Sequence, residues 1–153
     1  MRIQIAAIGR FRASPEKDLF QKYIRRSRWP ISLHEIELKK KFEVSIRIKE
    51  EESLLLRNIP KEAIIVVLDE KGINLSSVSL AQKIATWQTN GHSNFAFLIG
   101  GENGVTDSLR QRADFLLALG TATWPHLLVR TLLAEQLYRA ETILAGFPYH
   151  REG

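Results

Sequence analysis

The sequence predicts an α/β protein built on a mainly parallel sheet with helices on both faces. Five apolar, β-branched runs recur along the chain, and helical patterns fill every gap between them. The 153 residues include no cysteine, so neither a disulfide nor a thiolate–metal staple stands in for a core. A chain of this length buries roughly 70% of the surface its unfolded form exposes, which is enough for one core. A single domain over residues 1–153 is expected.

The first strand is read at residues 2–8 (RIQIAAI). Ser14 is a fair N-cap with Pro15 behind it, and Leu19, Phe20, Tyr23 and Ile24 follow at helical spacing to about residue 28. A second strand at 31–38 is followed by a helix at 43–58, which Pro60 ends. The third strand, 63–68, leads to a helix at 77–89 with Val78, Leu80, Ala81, Ile84, Ala85 and Trp87 apolar and Gly91 just past its end. After the fourth strand, 94–99, a short helix starts at Thr106 or Asp107 and runs to about 113. The fifth strand, 115–119, is weaker. Pro125 stands where an N1 proline belongs, and the last helix runs to about 145, where Gly146 and Pro148 stop it. The order is β-α five times over, which places ligands at the carboxyl ends of the strands.

Charge is uneven. Residues 1–49 hold 13 basic and 5 acidic side chains, and residues 50–153 hold 9 and 12. The excess gathers in Arg10 and Arg12, in Arg25, Arg26 and Arg28, and in Lys39, Lys40 and Lys41. These are expected either to form one face that displaces counterions from phosphates or to serve as a solubilising surface. The longest charge-free stretch, 115–129, is 15 residues and contains Gly120 and Pro125. A membrane-spanning helix needs about 20. With a strand already at residue 2 no targeting peptide is expected ahead of it, and a cytoplasmic location is.

Several enzyme classes are excluded by pattern. His34, His92, His126 and His150 show no ligand spacing and meet no clustered carboxylates, so no metal site is expected. The chain contains no GxGxxG, no GxxxxGK[ST] and no GxSxG. A flavodoxin-like module would need a phosphate-cradling loop after the first strand, for which Ile8-Gly9-Arg10-Phe11 is poor.

Two loops are the informative ones. After the fourth strand come Gly100, Gly101 and Gly104, which let a flat ligand approach the main chain or simply make a tight turn. After the fifth come Leu119, Gly120, Thr121, Ala122, Thr123 and Trp124, an uncharged stretch able to wrap an adenine ring or, with Thr123 as cap, to enter the last helix. That helix is apolar on more sides than one core stripe requires, which reads either as a symmetric dimer interface or as a fully buried core helix. Glu135 and Arg139 fall at i, i+4, and Tyr149 and His150 form a short tail suited to stacking on a base.

Leu98-Ile99-Gly100-Gly101-x-x-Gly104, then Thr123-Trp124-Pro125-His126-x-x-x-Arg130, then Glu135-Gln136-Leu137-Tyr138-Arg139-Ala140 and a terminal Tyr149-His150 together closely resemble the bacterial large-subunit ribosomal RNA pseudouridine N3-methyltransferases of the SPOUT class. The resemblance covers essentially the whole chain. It implies a C-terminal trefoil knot, an exception to the rule that chains avoid knots. It further implies a homodimer through the C-terminal helix and methyl transfer from S-adenosylmethionine to N3 of a pseudouridine in 23S rRNA within the assembled ribosome. Carried over by position, the cofactor residues are Leu68, Gly100, Leu119, Gly120, Thr121, Ala122, Thr123 and Trp124. Trp124 stands where other members commonly carry a different large apolar residue. Arg139, Tyr149 and His150 are the candidates for holding and polarising the base, with His126 behind them. The competing expectation is a non-enzymatic dimeric RNA-binding protein.

Overall fold

The computed structural model describes residues 1–151. Their elements alternate: β1 (Arg2–Ile8), α1 (Pro15–Arg26), β2 (Ile31–Ile36), α2 (Val44–Arg57), β3 (Ile64–Asn74), α3 (Ser77–Thr89), β4 (Asn94–Ile99), α4 (Asp107–Arg112), β5 (Phe115–Ala118) and α5 (His126–Ala145). The strands form one sheet in the order β2-β1-β4-β3-β5, with every pairing parallel. The expected class and element order are both present. The main departure is β3, which runs six residues past the expected end at Leu68. Leu68 and Ile73 both pair with Leu117, so residues 69–72 bow out of the ladder between them.

Side-chain alternation divides the core in two. Ile3, Ile5 and Ala7 of β1 point to the face covered by α1, α3 and α5, where Phe20, Ile84, Leu133 and Leu137 are buried. Ala6 and Ile8 point to the other face, under Leu55 of α2 and Leu109 of α4. The helices start where the sequence provides caps. The Ser14, Ser76 and Thr106 side chains accept the backbone N–H groups of Lys17, Ser79 and Leu109 at 3.0–3.2 Å. Gly146, with φ +72°, ends α5.

Most of the apolar surplus of α5 is core, because the helix packs against α1 and α3, and Leu133, Ala134, Leu137 and Ala140 are fully buried. Leu128 and Leu132 are half-buried and belong to neither core. At 1.5 Å per residue, α5 carries the chain about 30 Å from the carboxyl edge of the sheet to its amino edge. The basic clusters are separated by the same logic. Arg10 and Arg12 follow β1, and Lys39, Lys40 and Lys41 follow β2, on the carboxyl edge. Arg25, Arg26 and Arg28 lie at the end of α1, on the amino edge, so the single basic face expected from sequence is two faces.

Candidate active site

The glycine loop leaves β4 as a tight hairpin. Gly101 and Gly104 bridge each other, the Gly104 N–H donating to the Gly101 carbonyl at 3.0 Å, and Gly104 has φ +76°. Helix α2 backs the hairpin from beneath. The Thr106 hydroxyl donates to the Glu52 carboxylate, and Glu51 lies so close under Gly101 that a Cβ there would be 3.1 Å from Glu51 Oε2. A Cβ on Gly100 would be 2.8 Å from Val105 Cγ1 and 2.9 Å from the Gly104 carbonyl oxygen. The bare side of Gly100 therefore faces its own loop, which corrects the expectation that it clears room for a ligand. It is the main chain at Gly100 that lines the cleft.

The second loop is held by the extension of β3. Asn74 Oδ1 accepts from the Gly120 N–H at 2.9 Å, and Glu70 Oε2 accepts from the Thr123 hydroxyl at 3.1 Å. Trp124 Nε1 donates to the Leu119 carbonyl at 2.7 Å, closing the loop on itself. Thr123 is thus not the helix cap; Pro125 occupies that position and α5 has no side-chain cap.

Between the two loops, at the carboxyl ends of β3, β4 and β5, lies a cleft of about 580 Å³. Leu68, Gly100, Leu119, Gly120, Ala122, Thr123 and Trp124 line it, and Thr121 is exposed outside it. Its walls combine apolar side chains with main chain from both loops, and Asp69, Glu70 and Glu102 set acidic groups at its edge. Asp69 is fixed by Arg110 Nε at 2.8 Å. His126 and Val129, from the first turns of α5, complete the wall.

Arg139, Tyr149 and His150 meet elsewhere, at the far end of α5. Glu135 organises them: Arg139 Nη2 and Nε donate to Glu135 Oε1 at 2.5 and 2.9 Å, and the Tyr149 hydroxyl donates to the same oxygen at 3.1 Å. Arg139 Nη1 is 3.3 Å from His150 Nδ1, and its guanidinium lies 4.7 Å over the Tyr149 ring. The hydrogen bonds that Arg139 donates to Glu135 raise its pKa. Burial, followed by the contacts with Tyr23 and Glu135, raises that of Tyr149, which stays a protonated donor. The tail has folded back on its own α5, so one protomer does not bring this cluster to the cleft.

A third polar group lies beneath the first-strand loop. Arg130 is fully buried, its Nη2 donating to the carbonyls of Ile8 and Gly9 at 2.7 and 2.8 Å, with the guanidinium 5.1 Å from the Phe11 ring. Burial lowers its pKa, and the charge of Glu35 works in the opposite direction. It ties α5 to the end of β1.

The family model described as "Predicted SPOUT methyltransferase" matches residues 1–150. The chain belongs to the SPOUT methyltransferase family. It is 48% identical over 151 residues to the ribosomal RNA large subunit methyltransferase H of Rhodospirillum centenum, and 49% identical over 151 residues to that of Paramagnetospirillum magneticum. Each alignment covers 99% of both chains. A probable methylase family protein from Haemophilus influenzae shares the fold at a TM-score of 0.57 and 11% identity, over 98% of this chain and 70% of that one. The trefoil knot expected at the C-terminal end goes with SPOUT membership, and membership also sets aside the non-enzymatic reading. Among the described residues no helix is long and apolar enough to cross a membrane, and no group of three or more histidine and acidic residues could hold a metal ion.

The cleft suits the methyl donor implied by the family. Its volume lies within the roughly 300–1,000 Å³ of ligand pockets. Its chemistry also fits, with apolar walls for a purine, main chain for the purine edge and carboxylates opposite a cation. Sequence reasoning missed Glu52, Glu70 and Asn74, which hold the two loops from other elements, and Glu51, which packs under Gly101. No local pattern marked them, since each acts across more than 45 residues of chain.

Proposed function

We propose that this chain transfers the methyl group of S-adenosylmethionine to N3 of a pseudouridine in 23S rRNA, on the assembled ribosome in the cytoplasm, as a homodimer of one-domain subunits. The observation that carries the reading is the meeting of the glycine loop and the uncharged loop in one cleft, in a SPOUT chain. The names of its close relatives, ribosomal RNA large subunit methyltransferases, support the substrate class.

When bound, the donor supplies an electrophilic methyl on a sulfonium. Leu68, Leu119 and Trp124 would hold its apolar parts, the main chain of Gly100, Gly120 and Ala122 would meet its adenine edge, and Asp69 and Glu70 would balance its positive charge. The RNA base needs different chemistry. Its N3 loses a proton as it gains the methyl, and negative charge builds on the ring carbonyls. Arg139 and the protonated Tyr149 are donors suited to that charge, and His150, whose Nδ1 faces Arg139 Nη1 at 3.3 Å, is a further candidate for holding and polarising the base.

A two-fold axis across α5 brings these parts together. Leu128, Leu132, Glu135 and Arg139 recur at i, i+4, i+7 and i+11, one stripe along the half-buried side of the helix. Antiparallel pairing of two such stripes sets the Arg139 end of one helix against the His126 end of the other. The base-holding cluster of one protomer then reaches its partner's cleft.

The test is transfer of labelled methyl to ribosomes lacking the modification, in parallel with free subunits. Label in a single 23S nucleoside identified as N3-methylpseudouridine is expected. Absence of label on intact ribosomes, from protein that binds the donor, overturns the assignment.

A further inference from the structure

We propose that the hollow between the end of α1 and the C-terminal tail is a stacking subsite for an unpaired RNA base flanking the target nucleotide. The proposal rests on the function argued above. The hollow measures about 540 Å³, and the residues that matter in it are Arg26, Arg28, Tyr138, Glu141, Phe147 and Tyr149. Phe147 is 40% exposed, uncommon for a large aromatic side chain, and Arg28 Cζ lies 4.7 Å from its ring centroid. Arg26 Cζ is 4.7 Å from the Tyr138 ring and 5.3 Å from the Tyr149 ring.

Aromatic faces alternate here with guanidinium planes, and both stack on nucleobases, whatever the base. The cations are also available. Among the described residues no carboxylate lies within 4.0 Å of the guanidinium of Arg26, Arg28 or Arg151. The one acidic side chain in the wall, Glu141, is buried and already committed, accepting from Ser27 Oγ at 2.5 Å and from the Arg28 N–H at 2.7 Å. An incoming phosphate therefore meets positive charge without a free carboxylate to repel it.

Position gives the subsite its role. The Tyr149 ring is shared, with Arg26 from the hollow 5.3 Å away and Arg139 from the base-holding cluster 4.7 Å away. A base in the hollow is therefore one ring removed from the group that holds the target. Unstacked bases splayed onto aromatic side chains are the usual way proteins read single-stranded RNA segments.

The experiment compares Phe147→Ala, Phe147→Trp and Arg28→Gln in full-length protein. Readouts are kcat and KM on ribosomes, donor affinity by calorimetry, and anisotropy of a short single-stranded oligouridine. Phe147→Ala is expected to raise KM and the oligouridine Kd about tenfold, with kcat and donor affinity unchanged. Phe147→Trp should restore both, and Arg28→Gln should flatten the log–log salt dependence of oligouridine binding by about 0.7. The proposal is overturned if Phe147→Ala binds and methylates like wild type, if tryptophan fails to rescue, or if an acidic peptide of equal charge competes as well as RNA. If wild-type protein methylates nothing, the functional reading fails, and the oligouridine measurements alone decide the subsite.

Discussion

Gly100 and Gly104 stand in one hairpin yet should respond differently to an added methyl group. A Cβ on Gly100 runs into Val105 and the Gly104 carbonyl, whereas a Cβ on Gly104 meets nothing within 4 Å and is opposed only by φ +76°. Gly100→Ala should therefore displace the loop and weaken donor binding at least tenfold by calorimetry. Gly104→Ala should cost only about 1–2 kcal/mol of stability, the strain of a left-handed residue. Glu51, beneath the same hairpin, is 4% exposed, and burial raises its pKa above the ordinary 4.5 although Arg47 bonds it at 3.0 Å. A raised folded pKa means the native state binds the extra proton, so stability falls as pH rises from the ordinary value through the folded one. Glu51→Gln should raise Tm at pH 7 by about 2–4 °C for each kcal/mol relieved. That gain should vanish once the pH falls to about 4, and an equal gain at every pH would refute the burial argument.

Among the elements, β3 departs furthest from its sequence pattern. The apolar run ends at Leu68, yet the strand continues through Asp69-Glu70-Lys71-Gly72 to Asn74 and pairs again with β5. A Cβ on Gly72 would lie 2.7 Å from the Leu116 backbone, an approach only glycine allows. Asn74 and Glu70 then reach the wrapped loop. Asn74→Ala removes one hydrogen bond, worth about 1 kcal/mol, and should lower Tm by about 2–4 °C and raise the donor Kd measured by calorimetry. Helix α5 teaches the opposite lesson. Its excess of leucine was legible, but the split between core and half-buried side was not, because Leu133 and Leu137 differ from Leu128 and Leu132 only in which neighbours cover them.

At the scale of the whole molecule, the cleft and the Arg139 cluster lie at opposite ends of α5, and the proposed dimer is what would join them. Gly100→Ala and Arg139→Ala protomers, each impaired alone at limiting donor, should recover about a quarter of wild-type activity under the same conditions when co-refolded, since half the dimers then hold one intact composite site. No recovery in verified heterodimers would place both parts in a single subunit. Lys39, Lys40 and Lys41 stand on the same sheet edge as the cleft. Changing all three to Glu should weaken methylation of ribosomes in a salt-dependent way while leaving donor affinity intact. Methylation that stays unchanged across salt would detach this cluster from RNA binding.

The parallel α/β class, the element order and the two loops that meet in the cleft were all legible in the sequence, because burial periodicity, caps and glycine placement act over a few residues. Tertiary structure decided the rest. It set which carboxylates brace the glycine hairpin and which way the bare side of Gly100 points. It also divided the basic residues between two edges and folded the tail onto Glu135. Each of these depends on contacts between segments far apart in sequence, and such contacts leave no repeating mark along a single chain.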